Sequence, residues 1–64
     1  MIDVAATMNI YDEALDEATE KGASIDDAHR EAIVAAAMML AAIDGIEDEE
    51  AKAQVEEVVQ AHAA

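Results

Sequence analysis

The chain has 64 residues, no cysteine, no proline, a single tyrosine as its aromatic complement, and 16 acids against three lysines and arginines, for a formal net charge of −13. This length allows one domain, residues 1–64, with a small core, and the lack of cysteine excludes disulfides and thiolate metal sites. The charge excludes direct nucleic-acid binding and contact with an anionic membrane surface, both of which need a basic patch.

Alanine, glutamate, methionine, leucine and glutamine are all good helix formers, and strand- and turn-forming residues are scarce, so helix is the regular structure the chain can build. Helix 1 is predicted from about residue 3 to 21. Val4, Met8, Tyr11, Leu15 and Ala18 are spaced four, three, four and three apart and form one apolar stripe. Asn9 offers an alternative cap for a shorter helix. Gly22 closes the segment where a left-handed residue is wanted.

Helix 2 is predicted over about 25–44. Ser24 is its N-cap, its hydroxyl placed to accept from the Asp27 amide, and Asp26 and Asp27 suit the positive end of the helix dipole. The segment contains AIVAAAMMLAAI, twelve apolar residues from Ala32 to Ile43. One stripe is His29, Ile33, Ala36, Leu40 and Ile43; a second is Ala32, Ala35, Met39 and Ala42; a third is Val34, Met38 and Ala41. A helix apolar on every side requires burial on every side, and two companions with narrow stripes leave part of it uncovered. The run is shorter than the roughly 20 residues a membrane span needs.

Helix 3 is predicted over about 47–62, after Gly45, with Ile46 and Ala51 as a hydrophobic staple and Ala51, Val55, Val58 and His62 as its stripe. Short links between helices favour antiparallel neighbours, which makes the expected fold an all-α, up-down-up three-helix bundle with helix 2 in the middle. The uncovered face of helix 2 is expected to pair with a second copy of the chain. Ala35, Met38, Met39 and Ala42 form that homodimer interface: small alanines let backbones approach and methionines adapt to what they meet. Partial exposure of an alanine face is the alternative.

Each cation follows an acid by four residues: Glu17 and Lys21, Asp26 and Arg30, Asp48 and Lys52. That is the favourable helical order for an ion pair. The acids concentrate on outward faces, Asp12, Glu13, Asp16, Glu17 and Glu20 on helix 1 and Glu47, Asp48, Glu49, Glu50, Glu56 and Glu57 on helix 3. Like charges recur at i, i+4, as in Asp12 and Asp16. These acids read as a solubilising surface, as adaptation to a salt-rich cytoplasm, or as a face that imitates a phosphate backbone. In composition the chain resembles small phage-encoded inhibitors of restriction or CRISPR systems. That resemblance implies an acidic protein-binding module occluding a basic surface on a nucleic-acid-handling partner. The alternative is a structural, self-assembling subunit.

Nothing points to catalysis. The one serine, Ser24, is used as a cap, there is no phosphate loop, HExxH pair or EF-hand pattern, and the paired carboxylates lie on solvent faces, so no enzyme and no cofactor are expected. If helices 2 and 3 fold back about Gly45, His29 and His62 come level, with Glu17 (or Asp16 or Glu20) as a third donor; this is the candidate metal site or pH latch. The simpler reading places His62 at a helix C-terminus, where the dipole favours it, and His29 at the end of the core. The opening Met1-Ile2-Asp3 lacks the positive start of a secretory signal, and a cytoplasmic location is expected.

Overall fold

The structure, a computed structural model, describes residues 3–63, the side chain of Ala63 excepted; Met1, Ile2 and Ala64, the ends of the expected 1–64 domain, lie outside the described residues. Three helices pack together: α1, Val4–Glu20; α2, Ile25–Asp44; and α3, Asp48–Ala63. There is no strand among the described residues. The α2 helix packs extensively against both α1 and α3, which touch each other far less.

Local chemistry explains each boundary. Asp3, in extended conformation, caps α1 by accepting from the Ala6 amide at 3.1 Å. Asn9 is therefore an exposed residue inside α1 and caps nothing. Thr7 is fully buried, and its hydroxyl donates to the Asp3 carbonyl at 2.7 Å, so the polar group enters the packed interior already satisfied. At the other end of α1, the Ala23 amide donates to the Ala18 carbonyl at 3.1 Å and the Gly22 amide to the Thr19 carbonyl at 3.0 Å. These two bonds make a Schellman motif, and the φ of 93° at Gly22 is the left-handed residue it demands.

Ser24 caps α2 as expected, accepting from the Asp27 amide at 3.2 Å. Gly45, at φ 69°, closes α2 with a single bond from its amide to the Ala41 carbonyl at 2.9 Å. A Cβ at Gly45 would meet nothing within 4 Å, so the cost of Gly45→Ala is conformational. We expect that variant to lose about 1–2 kcal/mol in urea unfolding, the penalty of holding alanine in the left-handed region. Then Ile46 half-buries against the core two residues before α3 begins, while the Ala51 amide donates to the Glu47 carbonyl at 2.9 Å and Ala51 itself is fully buried.

The core is rich in alanine. From α2 it takes Ala28, Ala32, Ile33, Ala36, Ala37, Leu40 and Ala41; from α1, Tyr11 and Ala18; from α3, Ala51, Val55 and Val59. Met8, Ile10, Ala14 and Leu15 pack partly against it. Small side chains at the crossings bring the helix backbones close together, and the few larger groups fill the spaces left.

Several expected core positions are corrected. On α1, Val4 is largely exposed and Thr7 is buried, so the stripe begins one turn later. On α2, His29 and Ile43 lie at the ends of the expected stripe and are exposed, while Ala28, one residue before His29, is fully buried. On α3, Val59 takes the buried position expected of Val58, which is half-buried, and His62 is exposed.

A candidate protein-binding surface on α2

The same helix that supplies most of the core also carries an exposed apolar face. Met38 is 62% exposed, Met39 51%, Val34 46% and Ile43 70%. Ala35 and Ala42 are exposed beside them. All four residues that the sequence assigns to an oligomer interface, Ala35, Met38, Met39 and Ala42, are therefore at the surface. Val34 joins them, whereas Ile43 lies about 180° round the helix from Val34 and is exposed separately near the end of α2. Their common face follows from a turn of about 100° per residue, which places Val34, Ala35, Met38 and Ala42 opposite the buried Ile33, Ala36 and Leu40.

A groove between α2 and α3 borders this face. His29, Arg30, Ile33, Val34, Lys52 and Glu56 line it, and it continues along Val34, Ala37, Met38, Asp48 and Lys52. Two of the three cations in the chain thus flank the apolar strip. Neither makes the ion pair its sequence spacing suggests: among the described residues the one pair within 4 Å is Lys21 with Glu17, at 3.5 Å and well exposed. The expected pairs Asp26–Arg30 and Asp48–Lys52 are not formed. An exposed i, i+4 pair contributes only a few tenths of a kcal/mol, less than the side-chain freedom that closing it can cost.

All of the acids assigned to a binding face are exposed. Asp12, Glu13, Asp16, Glu17 and Glu20 lie on α1; Glu47 precedes α3, and Asp48, Glu49, Glu50, Glu56 and Glu57 lie on it. With 16 acids on so small a molecule, self-repulsion opposes the compact state. Salt shortens the Debye length from about 30 Å at 0.01 M to about 3 Å at 1 M. The melting temperature is therefore expected to rise between those concentrations; an unchanged melting temperature would show that the acids repel one another negligibly.

The candidate metal site does not assemble. His29 and His62 are both exposed, and no group of three or more histidine, aspartate or glutamate side chains among the described residues is placed to hold a metal ion. His29 has a different partner. Its Nδ1 lies 2.8 Å from the Tyr11 hydroxyl, and the two rings meet edge to face with centroids 5.7 Å apart. Burial, with Asp12 adding to it, pushes the Tyr11 phenol up, so the hydroxyl keeps its proton at neutral pH. The raised value makes folding stability fall as pH climbs through the ordinary phenol range near about 10, where the unfolded chain ionises first. This contact ties α1 to α2. Its partners are 18 positions apart, and neither stripe spacing nor charge pattern announces it.

The chain matches no family model, no curated protein and no solved structure. No helix among the described residues is long and apolar enough to cross a membrane. The surface itself therefore carries the functional argument.

Proposed function

We propose that the chain is a protein-binding module which works by contact rather than by chemistry. It pairs with a second copy through the exposed face of α2. The observation that carries this reading is the apolar face of Val34, Ala35, Met38 and Ala42, with Met39 along its edge, left at the surface of one helix. Monomeric proteins rarely expose contiguous apolar patches beyond their working interfaces. The short connections at Gly22 and Gly45, together with the packing of α2 against both neighbours, favour an up-down-up bundle in which this face points outward.

The decisive variant is Met38→Glu. Its side chain is exposed in the single chain, so the fold tolerates it, whereas in a dimer it places an unpaired charge in an apolar contact. Light scattering is expected to show the paired mass for the wild-type chain and the single-chain mass for the variant, with unchanged helical circular dichroism. Equal masses for the two would remove the support for pairing through α2.

A second element of the proposal concerns the acids. Among the described residues only Glu17 is engaged in an ion pair, which leaves the negative charge of α1 and α3 available to an outside partner. A basic surface on a nucleic-acid-handling protein is the complementary target, and the module would act by occluding it. The competing account, a self-assembling subunit whose acids serve a salt-rich cytoplasm, shares the α2 interface and lacks the basic partner.

A further inference from the structure

We infer that Met38 is a reversible oxidation site, and that its sulfoxide form switches off contact through the α2 face. The consequence for contact rests on the proposed pairing through α2; the site itself rests on where the sulfur atoms lie. With no cysteine and no tryptophan, the readily oxidised groups of the chain are its methionine thioethers. Met8 is half-buried and packed against the core, whereas Met38 is 62% and Met39 51% exposed. Met1 lies outside the described residues. An oxidant dissolved in water, such as hydrogen peroxide, therefore meets the two sulfurs of α2 before that of Met8.

The chemistry is a two-electron oxygen transfer. A sulfur lone pair attacks one oxygen of hydrogen peroxide, and the O–O bond breaks as the S–O bond forms. The departing hydroxide takes the proton left on the transferred oxygen and leaves as water. Sulfur is oxidised, peroxide is reduced, and a flexible apolar side chain becomes a polar one that reductases can restore.

The placement of Met38 decides what this change does. Met38 lies within the apolar face, between Val34 and Ala42, one helical turn from each. In the single chain the sulfoxide oxygen keeps its water, so the fold loses little. Contact through the face strips that water and offers apolar side chains in exchange, which is costly for an unpaired polar group. Met39 stands about 100° further round the helix, at the edge of the face, where its sulfoxide stays wet. A sulfoxide at Met8 would act differently, because it puts the polar group against the core and weakens the fold. Oxidation of α2 thus alters association while sparing the helices.

The test treats the folded chain with hydrogen peroxide at a concentration where it is unpaired, and follows each methionine by peptide mass mapping. Met38 and Met39 are expected to gain oxygen several times faster than Met8, with the difference lost in urea. Sedimentation of the product should show dimerisation weakened about tenfold, the scale of one polar group left unpaired in an apolar contact, with unchanged helical circular dichroism. Methionine sulfoxide reductases should restore association. Met38→Leu should keep its association through peroxide treatment, whereas Met39→Leu should lose it as the wild type does. Oxidation of Met8 as fast as Met38 in the folded chain would overturn the selectivity. Full oxidation of Met38 with association intact, or Met39→Leu protecting in place of Met38→Leu, would overturn the switch. A single-chain mass for the untreated wild type would overturn pairing through α2 and the switch with it, while the order of oxidation would still read out the site.

Discussion

Leu40→Ala is expected to remove a large fraction of the chain's stability and to lower its urea midpoint well below that of the wild type. Leu40 is almost fully buried in a core otherwise dominated by alanine, so few neighbours are large enough to move into the space it vacates. Truncating a buried leucine costs about 2–5 kcal/mol, more where the site cannot collapse. A domain of this length has a total stability of only about 3–10 kcal/mol at the usual value per residue. Urea unfolding followed by far-ultraviolet circular dichroism checks this, with Ile43→Ala as the control. Ile43 is 70% exposed in the single chain, so at concentrations where the protein is unpaired its truncation should shift stability by no more than about 0.5 kcal/mol. If Leu40→Ala unfolds at the wild-type urea concentration, the core has been misplaced.

Reversing Asp12, Glu13, Asp16 and Glu17 to lysine together is expected to abolish competition with nucleic acid for a basic partner. All four are exposed and lie off the buried positions Thr7, Tyr11 and Ala18, so the core should not register the change. Within the chain the reversal breaks the Glu17–Lys21 ion pair, worth a few tenths of a kcal/mol at most. The effect on a partner is far larger because complementary charge governs both encounter and selectivity, and like charge facing like costs several kcal/mol. The measurement is the affinity for a basic partner recovered from the native host, for wild type and variant, at two salt concentrations. Equal affinities with an intact helical spectrum would reduce this face of α1 to a solubilising surface.

The three helices are legible in the sequence because their ends are written in local chemistry. Ser24, Gly22 and Gly45 each satisfy or redirect backbone groups within a few residues, and all three act in the structure as their residue types suggest. Core positions are harder to read. Alanine satisfies almost any stripe, so α2 offers three overlapping faces, and spacing alone does not separate buried Ala36 and Ala37 from exposed Ala35 and Met38. The same ambiguity exchanges Val58 and Val59. His29 follows its stripe by spacing, yet it sits near the helix start and turns its Nδ1 to Tyr11, a tertiary contact with no local signal. Arg30 and Lys52 have the spacing of local ion-pair partners, whereas the packing of α2 and α3 sets both beside the apolar strip. That placement depends on which face of α3 meets α2, which neither sequence segment specifies alone.

Sedimentation equilibrium of the wild-type chain across the micromolar range tests the central claim, that the exposed face of α2 is a contact surface between copies. The account predicts a mass that rises from one chain toward two as concentration increases, and that rises further with salt as repulsion between two strongly acidic copies is screened. A single-chain mass at high micromolar concentration and at both low and high salt would contradict it.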